Sequence, residues 1–216
     1  MLYKDILVEL RSKEILNGML LFSLVIAVIF GFIFEPGSEE LKTAGSGILW
    51  ILLVFSGNIG LARSFNREYE NAMMQGLLLC PIDRSAIFPA KWIGNMIFIS
   101  FELLILIPLL VVLFDLPLGE HRLGLAAVLL LGVAGYSAVG TLFSTIAAHC
   151  RAREVMLPLL LFPVIVPILL AGVKASALLM TDAGLKEAGS WIKILAAVDI
   201  IFITASFLLY EHIVEE

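Results

Sequence analysis

The chain has 216 residues, of which 61% are apolar and only 15% charged, against about 25% charged in an ordinary soluble domain. Mean hydropathy is +1.04 and the pI about 5.2, with a formal net charge of −5. These values exclude a water-soluble globule, a disordered or collagen-like chain and a general nucleic-acid binder, and they leave a polytopic inner-membrane protein.

Residues 1–14 read as an amphipathic helix lying in the membrane interface. Leu2, Tyr3, Ile6, Leu7 and Leu10 share one stripe, while Lys4, Asp5, Glu9, Arg11 and Lys13 fall elsewhere on the wheel. Crossing a bilayer core of about 30 Å takes about 20 helical residues. Six stretches meet that length, at about 15–34, 43–62, 92–114, 123–148, 155–173 and 194–210. The chain therefore reads as one all-α transmembrane domain over 1–216. The first stretch is too long for the h-region of a cleaved signal peptide and has no small-residue cleavage pattern after it. Basic residues number nine on the side of the termini and five on the other, which predicts both termini in the cytoplasm. Cys80 and Cys150 then fall on the reducing side, with no CxxC and no zinc-ligand spacing.

The connection over 63–91 carries most of the information outside the spans. Phe65, Tyr69, Met73 and Leu77 recur every four residues, with Arg67, Glu68, Glu70 and Asn71 on the other face. Pro81 stops this helix, and Ile82-Asp83-Arg84-Ser85 reads as a turn. A short amphipathic helix of this kind either docks in a groove of a soluble partner or packs only on its own bundle.

Within the spans, Glu102 is expected near mid-bilayer, and Asp199 nearer the outer face, sharing a polar layer with Lys193. An ionised group at the bilayer centre costs roughly 3 kcal/mol on insertion scales, so each acid must face the bundle, face a wet cavity or be protonated. Glu102 serves either a pathway or an interhelical hydrogen bond. Pro158, Pro163 and Pro167 interrupt the fifth span's hydrogen-bond ladder, as in helices that line cavities or move, although such prolines also simply shape packing. Gly132, Gly135, Ala138, Gly140 and Ser144 give the fourth span a small-residue face suited to close helix contact. No Gly-Lys dipeptide occurs, so there is no Walker A loop, and there is no HExxH and no GxSxG. His121, His149 and His212 are scattered. No catalytic and no metal-binding constellation is expected.

Several blocks carry a family resemblance. They are Glu9-Leu10-Arg11-Ser12-Lys13-Glu14, Gly47-Ile48-Leu49-Trp50, the stretch from Arg63-Ser64-Phe65 through Glu68, Leu77-Leu78-Leu79-Cys80-Pro81 and Asp83-Arg84-Ser85-Ala86-Ile87 to Lys91, and Phe162-Pro163-Val164-Ile165-Val166-Pro167-Ile168-Leu169. Together they resemble CcmB, the permease subunit of the cytochrome c maturation ABC haem exporter. The stretch over 63–91 is also similar to the coupling loop of the wider ABC-2 exporter permeases. It departs from their usual pattern at Ala72 and Gln75, where a Gly and a Glu are the common residues.

The resemblance implies an ABC-2 exporter fold with six transmembrane helices, an N-terminal elbow helix and a coupling helix between spans 2 and 3. It implies a homodimer, a separate cytoplasmic ATPase subunit, other cytochrome c maturation membrane subunits and a haem chaperone, in a bacterial inner membrane. It assigns ATPase coupling to Phe65, Glu68, Leu77, Leu78, Pro81, Arg84 and Lys91. A pathway or gate would involve Glu102, Pro163, Pro167 and the outer connection over 174–193. Haem would be handled as cargo and not held as a resident cofactor. The alternatives are an ABC-2 permease for a lipid, glycan or drug, and a non-transporting structural assembly subunit.

Overall fold

A computed structural model describes residues 7–9, 11–70, 87–116, 121–148, 153–181 and 185–215. Six long helices follow one another: α1 Glu14–Ile33, α2 Glu39–Glu70, α3 Ile87–Phe114, α4 Arg122–Ala148, α5 Arg153–Met180 and α6 Leu185–Glu215. All six are long and apolar enough to cross a membrane, and no strand occurs among the described residues. The all-α, six-span expectation is borne out, and the chain is a multi-pass membrane protein. Of the separate coupling helix expected over 65–80, residues 65–70 are instead the last part of α2, and the rest, with Leu77, Leu78, the stop at Pro81 and the turn carrying Arg84, lies outside the described residues, as do Cys80 and Cys150.

Cross-contacts fix an up-and-down order. Arg63, near the end of α2, reaches Glu14 at the start of α1. Phe88, at the start of α3, packs against Tyr210 near the end of α6, with ring centroids 5.2 Å apart and the rings tilted by 50°. At the opposite end, the Gly37 N–H donates to the Phe114 carbonyl at 3.2 Å, and Leu179 of α5 lies against Gly124 of α4. The end carrying Glu14 and Tyr210 is called the terminal end below. Helices α4, α5 and α6 pack mutually; α1 lies against α2 and α3, and α2 touches α4 and α5.

Local chemistry sets the helix starts. Ser38 caps α2, its Oγ accepting the Leu41 N–H at 3.2 Å, with Glu39 and Glu40 in the positive first turn. Gly37 supplies the positive φ of 77° that the preceding turn needs. The start of α1 is less ordinary. Residues 7–9 and 11–12 are helical, but Lys13 is left-handed at φ 53° and provides no side-chain cap. The Glu9 carboxylate accepts the Ile15 and Leu16 N–H groups instead, at 2.9 and 3.1 Å. Glu9 is therefore buried and not on the wet face where the helical wheel placed it. Two N–H groups that the ladder leaves unpaired at the start of α1 are satisfied in this way, and the carboxylate meets the positive end of the helix dipole.

The connections are shorter than charge-free counting predicts. Helix α2 runs unbroken to Glu70, because residues 63–70 contain neither Gly nor Pro. Helix α3 starts at Ile87, which brings Lys91 inside it. Most of the segment over 174–193, expected as an outer loop, is helix: α5 continues to Met180 and α6 begins at Leu185. Exposed Lys174, Lys186 and Lys193 sit on helix surfaces there, where long lysine stems reach the interface.

Candidate functional site

Two carboxyls stand in the middle of the bundle, and neighbouring helices supply each with different surroundings. Glu102 is near the middle of α3 and 1% exposed. Its Oε1 accepts the Ser23 hydroxyl of α1 at 2.8 Å. The Ser56 side chain of α2 lies beside the same carboxyl, although its hydroxyl donates to the Leu52 carbonyl at 2.6 Å. Tyr136 of α4 is within electrostatic reach and donates to the Val54 carbonyl at 2.9 Å. Glu102 thus joins α1, α2 and α3, and it faces protein and not lipid.

Asp199 occupies the middle of the Lys186–Tyr210 span, deeper than expected and apart from the exposed Lys193. It is 2% exposed and points at Gly135 of α4, beside Ile168 of α5. Neither of its oxygens has a hydrogen-bond partner among the described residues. No cation is built into the adjoining stretches: α4 has only Tyr136 as a titratable side chain between Arg122 and His149, and α5 has none between Glu154 and Lys174.

The small residues of α4 act as holes for large side chains and not as a surface for backbone-to-backbone approach. Gly132 receives the Trp50 ring, Gly135 the Asp199 carboxyl and Gly140 Leu61, and a Cβ at any of these would collide with its guest. Trp50 is also seated over Gly172 of α5, and its Nε1 donates to the Ser176 Oγ at 3.0 Å. The glycines therefore lock α2 into the seam between α4 and α5. Toward the terminal end a second polar group links α3 to α4: Trp92 Nε1 donates to the Ala134 carbonyl at 2.9 Å, and Asn95 Nδ2 to Thr141 Oγ1 at 2.9 Å.

The residues assigned by resemblance do not fall in one place. Phe65 is buried near the end of α2. Glu68 follows on the same helix, its side chain outside the described residues. Lys91 is 3% exposed inside α3. Pro163 and Pro167 lie on the exposed side of α5, whose buried side carries Leu161, Ile165 and Ile168. Helix α5 continues through all three prolines. The carbonyls of Leu159 and Pro163 lose their intrahelical donors to the prolines four residues on, on that same exposed side.

Among the described residues no three His, Cys, Asp or Glu converge as metal ligands would. An apolar groove at the end opposite the termini, lined by Ala27, Val28, Gly31, Phe32, Leu113 and Phe114, offers no polar group for catalysis. The arrangement is one of helices keyed together around two midplane acids. Sequence reading missed Arg63 and Trp50 as organising residues. The available signal was an arginine and a tryptophan in or beside an apolar span, each needing a partner for its N–H groups.

Comparisons with known proteins agree with this architecture. The family model described as CcmB protein matches residues 1–214. Heme exporter protein B of Rhodobacter capsulatus is 29% identical over 172 residues, covering 80% of this chain and 78% of that protein. The protein of the same name from Pseudomonas aeruginosa is 26% identical over 189 residues, 87% of this chain and 83% of the relative. That from Haemophilus influenzae is 27% identical over 162 residues, covering 74% and 72%. A match over essentially the whole six-span bundle places this chain in the CcmB protein family.

Proposed function

We propose that this chain is the membrane permease subunit of an ABC haem exporter that serves assembly of c-type cytochromes. The observation that carries the reading is the family match over residues 1–214, laid on a bundle of six membrane-length helices. Its relatives bear the name heme exporter protein B.

The working unit is a dimer of this chain with a cytoplasmic ATPase subunit, other cytochrome c maturation membrane subunits and a haem chaperone, in the bacterial inner membrane. The excess of basic residues on the side of the termini favours a cytoplasmic terminal end. ATP is hydrolysed on the partner, and the stretch from Phe65 and Glu68 through Leu77, Leu78, Pro81 and Arg84 to Lys91 receives its motion. ATP-driven closure of the partner then biases the permease between two states. Glu102 and the face of Pro163 and Pro167 are assigned to the path or gate. Haem is the handled species, with no resident cofactor.

The test is a gene deletion scored by covalent haem stain of periplasmic c-type cytochromes, with total haem measured alongside. Loss of stained cytochromes at normal total haem is the expected result. Unchanged cytochromes would overturn the haem reading and leave a permease for a lipid, glycan or drug, or a structural subunit.

A further inference from the structure

We infer that Arg63 is a positioning residue that keys the start of α1 to α2, so that the turn before α1, α1 and α2 respond to the coupling stretch as one body. This inference rests on the coupling role proposed above. Arg63 Nη1 donates to the Glu14 carbonyl at 3.2 Å. That carbonyl is the one the helix ladder pairs with the Gly18 N–H, so the guanidinium arrives directly over Gly18. A Cβ at position 18 would stand 3.0 Å from both Cζ and Nη1, and 3.4 Å from Nε. The guanidinium of this exposed arginine therefore occupies the space beside a residue that has no side chain.

One turn earlier the relation is reversed. Gly60 of α2 receives Met19 of α1, where a Cβ would meet the Met19 sulfur at 2.6 Å, and Met19 is fully buried. Each helix thus puts one side chain into the other's glycine notch, Met19 into Gly60 and Arg63 into Gly18. Sliding or rotating α2 against α1 dislodges both. The Glu9 carboxylate extends the connection to the preceding turn through the Ile15 and Leu16 N–H groups. On the other side of the interlock, α2 continues without a break to Glu70, through Phe65 and Glu68, the first residues assigned to the ATPase. A rigid helix that enters that stretch passes its displacement back to Arg63, and Arg63 passes it to α1. An arginine that merely reaches the interface would need neither the glycine beneath it nor the reciprocal notch.

The test uses the full assembly with its ATPase, in a chain whose Cys80 and Cys150 are replaced by Ser and whose exposed Asn17 is replaced by Cys. Labelling of position 17 by a membrane-impermeant maleimide is followed with and without ATP plus vanadate. The parent is expected to show a nucleotide-dependent change in labelling. Arg63→Ala, and independently Gly18→Val, should abolish it while the ATPase stays bound and hydrolyses ATP, and Arg63→Lys should restore part of it. Haem-stained cytochromes should fall by about tenfold in the first two variants, within the range of coupling between two sites. A nucleotide response in Arg63→Ala equal to the parent's would overturn the inference. Loss of the ATPase from both variants would also overturn it, by making the interlock a fold contact only. Failure of the underlying reading is distinct: the parent itself would be silent to nucleotide and gene deletion would leave cytochromes unchanged.

Discussion

Glu102 and Asp199 carry the same functional group near the middle of their spans, and the two sides of the bundle accommodate them by different means. On the α1–α3 side, Glu102 takes a hydroxyl from Ser23 at 2.8 Å and has Ser56 beside it. On the α4–α6 side, Asp199 meets the bare backbone of Gly135 and the side chain of Ile168, with no donor to either oxygen among the described residues. Burial alone does not make a membrane acid a structural crosslink. Glu102 ties a lightly covered helix to the bundle, whereas Asp199 occupies space that an apolar residue would fill at lower cost.

The largest expected effect tests the fit around Asp199. Gly135→Leu drives a side chain into the carboxyl and into Ile168, and it should cost about 3 kcal/mol, the upper part of the overpacking range. Thermal unfolding in detergent measures it. Asp199→Ala in the same chain should recover at least half of the loss, since the two residues are in contact and their effects are not additive. Absence of recovery would mean that Ile168, and not the acid, sets the limit at this glycine.

Removing the acids one at a time should then give opposite signs. Asp199→Leu is expected to raise stability by about 2 kcal/mol, because a buried carboxyl with no hydrogen-bond partner among the described residues gives way to an apolar side chain. Glu102→Leu is expected to lower it by about 1 kcal/mol, because Ser23 loses its partner and falls back on a carbonyl of its own helix. The loss should be localised, with faster hydrogen exchange in α1 and little change in α4. Equal signs for the two variants would dissolve the distinction between the two sides. Full function of Glu102→Leu would also remove Glu102 from the assigned path.

How much of this was readable in the sequence depends on distance along the chain. The spans were legible because apolar composition is a local property, and so was the row of small residues on α4. The occupants of those notches were not. Trp50 and Ser176 are 126 residues apart, and Ser23 and Glu102 are 79 apart, and no periodicity connects such pairs. Helix ends were misplaced for a related reason. Counting charge-free residues stops a span at its first arginine, yet Arg63 stays helical and packs its guanidinium on Gly18. Glu9 appeared to belong to a wet face because a helical wheel does not show that the next helix lacks a cap. Leu77, Leu78, Pro81 and Arg84 have a coupling role by resemblance only, and they lie outside the described residues.

The smallest expected effect sits where the two sides meet. Trp50 of α2 is seated over Gly132 of α4 and Gly172 of α5, and a single polar contact, Nε1 to Ser176 Oγ at 3.0 Å, fixes its ring. Ser176→Ala should cost only about 0.6 kcal/mol, the average for an interhelical hydrogen bond in a membrane protein. The shape of the notch, and not the hydrogen bond, holds the tryptophan. Trp50→Phe keeps an aromatic ring in the notch and removes the N–H, so adding Ser176→Ala to it should cost almost nothing further, because no buried donor is then left unpaired. If Ser176→Ala alone costs as much as Gly135→Leu, the seam is held by its hydrogen bond. The two sides would then differ in where their polar partners are and not in how they pack.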